Sequence, residues 1–290
     1  MEITVLETIK IDKIPSGSGI VKSGDIYYII GDDSPFLFSL DKELNPISKI
    51  PLLDPLHFSD ERIIKSKKPD FEAMELITAN ELVVFGSGSK SPERAVFMRI
   101  LLNEALSIEK YDISEFYNNL KKLLLLRDTE LNIEAAAFRD KQIFLFNRKK
   151  NLIITFEYES LLSHFKGEIA FPKPKITPFI LPKLNGIEAG FSGATALKGT
   201  SKIIFTASVE HTDTAYDDGE ISGSFIGMID VSTSNISEFY KYCLIPTTGV
   251  PLKVESVTIE EEMSPGKTKI IMITDDDKGN SIVLKSVLTW

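Results

Sequence analysis

Short apolar runs bounded by polar turns fill the chain. Five of them, IYYIIG (26–31), LVVFGS (82–87), IFLFN (143–147), IIFTAS (203–208) and IIMIT (270–274), each follow a shared frame by about ten residues. The frame is Glu or Ser, then a small residue, then an apolar one: Ser18-Gly19-Ile20, Glu72-Ala73-Met74, Glu134-Ala135-Ala136, Ser192-Gly193-Ala194 and Glu255-Ser256-Val257. It returns about every 60 residues, so the chain is an array of five units.

In each unit the run ends in a turn-forming loop, GDDSP, GSGSKSPER, NRKKN, VEHTDTAYDDGE or TDDDKGN, and a third run follows, such as FLFSL or SIVLKSVL. Several units add a fourth, as in SIEKYDI and ISEFYKY. Four antiparallel strands per repeat, arranged radially, define a β-propeller blade, so the predicted fold is an all-β, five-bladed β-propeller in one domain. Only three strand-like runs remain after Glu255, while ITVLETIKI stands alone before the first frame. The N-terminal strand is therefore expected to close the last blade, giving blades near 12–60, 61–125, 126–182, 183–245, and 246–290 joined by 1–11.

Two segments depart from the pattern. SEFYNNLKKLLLL (114–126) has helical spacing and predicts a helix whose Leu face packs on the ring. FPKPKITPFILPK is Pro-rich and reads as a connector or edge strand.

Hydrophobic content of 43% and charged content of 26% over 290 residues are ordinary for a globular chain. The net charge of -9 excludes a phosphate-backbone binder of the usual basic kind, so no nucleic-acid partner is expected. The single cysteine, Cys243, forms no internal disulfide, and no apolar run is long enough to span a membrane. With no signal-peptide pattern at the N-terminus of this form of the chain, the expected location is cytoplasmic.

In a propeller the first strand of each blade lines the central channel, so Ser18, Glu72, Glu134, Ser192 and Glu255 converge near one mouth. Converging carboxylates must be relieved by protons or by a cation. An all-oxygen ring with no His or Cys suits calcium. The competing reading is a water-filled channel whose carboxyls hold protons and cap backbone groups.

The order Ser, Glu, Glu, Ser, Glu, with GFSG at 190–193, resembles the calcium-activated nucleotidases, or salivary-type apyrases. The first blade is also similar to phytase-like and esterase-like propellers. The resemblance implies a five-bladed ring with central calcium held by Ser18, Glu72, Glu134, Ser192 and Glu255. No clear copy of the apyrase aromatic clamp and arginine is found.

The loops around this mouth carry Lys90, Arg94, Arg148 and Lys149 in blades two and three, against Asp32, Asp33, Glu210, His211, Asp213, Asp275 and Asp276 in the others. That division predicts a calcium-centred hydrolase, or a relative of one, acting on a phosphorylated or other anionic small molecule. Lys90, Arg94 and Arg148 would hold the anion and Asp32, Glu210 or His211 would move the proton. Turn chemistry alone also explains many of these residues. The alternative function is a non-enzymatic binding module that recognises a protein or glycan, its channel metal structural or absent. GSGSK at 86–90 opens no helix and fails as a phosphate loop, and neither Asp-rich loop has EF-hand spacing.

Overall fold

The computed structural model describes every residue except 13, 60, 128, 212–218, 233–239, 248 and 276–279. Asp213 and Asp276 lie outside the described residues.

Five four-stranded antiparallel sheets form the blades. Their first strands are Gly17–Ser23, Phe71–Thr78, Ile133–Arg139, Gly190–Ala196 and Lys253–Ser264. Each packs against the next and the fifth against the first, which closes the ring. The fifth blade takes its outer strand from the N-terminus: Glu2–Ile11 pairs with Ser281–Thr289, from Glu2 opposite Thr289 to Ile11 opposite Ser281.

The second strands read as unbroken apolar runs because each sheet is covered on both faces. Every blade boundary holds its own core. Phe85, Leu145 and Ile154 meet between blades two and three, Phe146, Phe191 and Phe205 between three and four, and Ile204, Met228 and Met272 between four and five. Val21 and Met98 join the first and second blades, and Ile29 and Ile273 close the last boundary.

The expected helix is shorter than its pattern. Helix α1 spans Ser114–Lys121 and buries Phe116, Tyr117 and Leu120, while Leu124 beyond it is exposed. Phe116 and Tyr117, whose hydroxyl donates to the Gly86 carbonyl at 2.6 Å, seat it beside Leu120, and Leu126 past its end joins the same core, so Leu and aromatic side chains share the packing on the ring. A second helix, α2 (Tyr158–Phe165), runs directly out of a third strand and is invisible as a break in hydropathy. Its start is marked by Glu157, whose carboxylate accepts from the Ser160 N–H at 2.7 Å. The Pro-rich segment supplies the outer strand Lys175–Pro178 of blade three, as expected for an edge.

Candidate functional site at the channel mouth

The repeated frame has one structural cause. In all five blades the pairing of first and second strands slips by one residue, between Gly17 and Gly19, Phe71 and Ala73, Ile133 and Ala135, Phe191 and Gly193, and Val254 and Ser256. The skipped residues are Ser18, Glu72, Glu134, Ser192 and Glu255. Each occupies a β-bulge, freed from the ladder and re-aimed at the channel.

Their partners differ. Ser18 donates to the Phe71 carbonyl of the next blade, and Ser192 donates to the Thr206 hydroxyl at 3.1 Å. Glu134 accepts from the Asn132 amide at 2.5 Å and lies 3.6 Å from Arg148. Glu255 pairs with Lys253 at 3.0 Å. Glu72 makes no hydrogen bond or ion pair among the described residues. It meets two acids outside the bulge ring instead: oxygens of Asp32, Asp70 and Glu72 all lie within 4.8 Å of one another.

Asp70 occupies the position two residues before the bulge, as do Asn132 of blade three and Lys253 of blade five. These residues form a second tier that the search for the repeated frame passes over. Lys68, from the connector between blades one and two, binds Asp32 at 2.6 Å, Asp33 at 3.0 Å and Asp70 at 3.7 Å. Arg94 donates to Asp70 at 2.7 Å and to Ser89 at 2.9 Å, and Ser87 also donates to Asp70.

The rim charges are therefore interleaved rather than divided into halves. Arg148 reaches across to Glu210 at 2.9 Å, and Lys253 stands 3.9 Å from the same carboxylate. Gly190 makes room for that crossing, since a Cβ there would stand 2.5 Å from Arg148 Cγ. Lys90 is exposed and offers its carbonyl to the Arg94 N–H. His211 is exposed at the end of its strand, and no contact ties it to this cluster among the described residues.

Among the described residues, seven carboxylates (Asp32, Asp33, Asp70, Glu72, Glu134, Glu210, Glu255) thus face four cations (Lys68, Arg94, Arg148, Lys253). Burial pushes Glu72 well above the usual carboxylate range, and Asp70, Glu134, Asp32 and Glu255 push it further. Burial raises Asp32 to about 7 against the pull of Lys68, and Glu134 to about 7 against the pull of Arg148. Arg148 is held protonated despite its burial by Glu134 and Glu210.

Residues 13–288 match the model of a family of unknown function, DUF6929. The chain belongs to that family. No curated protein matches it. Among solved structures, this DUF6929 chain is similar to Myxococcus xanthus glutaminyl cyclase, with 9% identity over 99% of this chain and 97% of that one, at a TM-score of 0.56. The likeness is one of fold. Staphylococcus aureus virginiamycin B lyase (11% identity, 98% and 99% covered, TM-score 0.44) and Bacillus subtilis arabinanase Arb43A (7%, 95% and 95%, 0.46) are more remote. No helix among the described residues is long and apolar enough to cross a membrane.

Proposed function

We propose that the channel mouth is a calcium site built on Asp32, Asp70 and Glu72, and that the protein is a hydrolase, or a relative of one, acting there on a phosphorylated or other anionic small molecule. The observation that carries this reading is the unmatched acid. Among the described residues Glu72 has no hydrogen bond or ion pair, and Asp32 Oδ1 is buried without a hydrogen-bond partner. Orphaned carboxylate oxygens beside an excess of negative charge fit a hard divalent cation, and the all-oxygen donor set with neighbouring Ser18 fits calcium better than zinc or copper.

Lys68 competes for the same carboxylates and limits the site to one cation. With both guanidinium groups bonded to carboxylates, a cation held by Asp32, Asp70 and Glu72 would supply the attraction for an anionic substrate and would polarise it. In the metal-free protein burial raises Asp32 to about 7 against the pull of Lys68, so a cation bound there would displace its proton near neutrality. Glu210 is locked between Arg148 and Lys253 and positions them, and His211 stands outside the cluster.

The test is the melting temperature of chelator-stripped protein titrated with calcium, with magnesium as control and Glu72→Gln alongside. A saturating calcium-selective rise in the wild type that is lost in E72Q is expected. No rise removes the metal. Nucleoside di- and triphosphates, phosphate esters and lactones that all stay unhydrolysed with calcium present remove the hydrolase.

A second reading rests on the self-satisfied part of the ring. Ser18, Ser192, Glu134 and Glu255 already have protein partners. In that case Glu72 holds a proton, the mouth is metal-free, and the propeller is a binding module.

A further inference from the structure

A different site lies at the opposite end of the channel. There the first strands of all five blades end around a cavity of ≈ 790 Å³, a volume in the range of small-molecule sites. Its walls mix apolar side chains, notably Leu76, Ile77, Phe138 and Ile259, with a single deeply buried acid, Glu75. Glu75 is 7% exposed. Its oxygens accept one backbone N–H each, from Leu76 at 2.7 Å and from Phe138 at 3.3 Å, and it has no ion pair among the described residues.

Charged residues of both signs line the cavity around it. Lys22 spends its ammonium on the Glu260 carbonyl at 2.7 Å, and Arg139 is bound to Asp140 at 2.7 Å. Glu261 is matched by Lys269 outside the cavity at 2.7 Å. Glu262 and Lys198 are exposed at the rim. Lys198, whose charge partly opposes the raised Glu75 carboxyl, makes no ion pair with it among the described residues. A buried carboxyl with no ion-pair partner among the described residues, at the floor of a partly apolar cavity, keeps its proton unless a cation enters beside it.

We infer that this far mouth binds a small organic cation, a primary amine with an apolar body, with Glu75 as its counter-ion and Leu76, Ile77, Phe138 and Ile259 around the hydrocarbon. The site is separate from the acidic mouth and does not depend on the metal reading.

Hexylamine, hexanol and hexanoate are matched probes. Calorimetric titration of each into the full-length protein, with chelator present, is expected to show saturable binding of hexylamine alone. Below about pH 8 the amine displaces a proton from Glu75, so its affinity should rise roughly tenfold per pH unit and level off above that pH. Glu75→Gln should abolish the pH dependence and weaken binding by at least tenfold. Lys198→Glu, an exposed change with little risk to folding, should tighten amine binding severalfold. Equal binding of hexanol, preference for hexanoate, wild-type affinity in E75Q, or weaker amine binding in K198E would each overturn the assignment.

Discussion

Glu75 also makes a quantitative prediction about stability. Burial raises its carboxyl from 4.5 to about 8, and the two backbone N–H donors and the distant Lys198 only partly oppose it. The folded state therefore holds a proton that the unfolded state releases. The contribution of Glu75 to stability is complete below about pH 4.5, falls as pH rises toward 8 and is constant above it. At about 1.4 kcal/mol per pH unit, the loss is ~5 kcal/mol. Glu75→Gln removes the titration but has one acceptor oxygen for two N–H groups, and the orphaned donor costs about 1–3 kcal/mol. E75Q should thus be less stable than wild type near pH 5 by about 1–3 kcal/mol. Near pH 9 it should be more stable by about 2–4 kcal/mol, with the sign reversing between. Urea unfolding of both proteins at several pH values, in chelator, measures the difference directly. Asp32, Glu72 and Glu134 titrate in both proteins and cancel in that difference. A difference that stays constant from about pH 5 to about pH 9 would show that Glu75 is not held protonated by burial, and the linkage argument would fail.

Arg148→Met keeps the bulk of the side chain but strands Glu134 and Glu210 without their guanidinium. It should cost about 3–5 kcal/mol near pH 8 and less near pH 5, where Glu134 takes up a proton; equal losses at both would contradict the ion-pair account. Gly190→Ala puts a methyl group into Arg148 Cγ and should cost about 1–3 kcal/mol by thermal melting. Because both changes act on the same guanidinium, the double variant should lose clearly less than the two separate losses combined.

The two mouths were not equally legible, and the reason lies in how a propeller repeats. The backbone repeats five times, so any position where geometry demands a polar residue recurs with it. The bulge requires a side chain that tolerates the channel, and Ser18, Glu72, Glu134, Ser192 and Glu255 meet that demand with two residue types. The frame therefore stands out without a structure. The tier two residues earlier is filled by Ser16, Asp70, Asn132, Gly190 and Lys253, five different side chains on equivalent backbone. It has no signature to search for, though counting two positions back from each bulge would have found it. Lys68 belongs to no repeat at all, and Glu75 occurs in one blade only.

This difference also explains why the rim charges looked segregated when sorted by loop. A loop assigns a residue to a blade, but Arg148 is long enough to leave its own blade, and the missing Cβ of Gly190 gives it the path. Fivefold symmetry builds the channel, and departures from it set the chemistry. At one end, acids from blades one and two meet without enough cations. At the other, a lone buried acid faces a cavity whose cations, Lys22, Arg139 and Lys198, form no ion pair with it among the described residues. Under both proposals function resides in side chains whose surroundings break the repeat: Glu72 and Glu75, three residues apart on one strand, face opposite ends of the same channel.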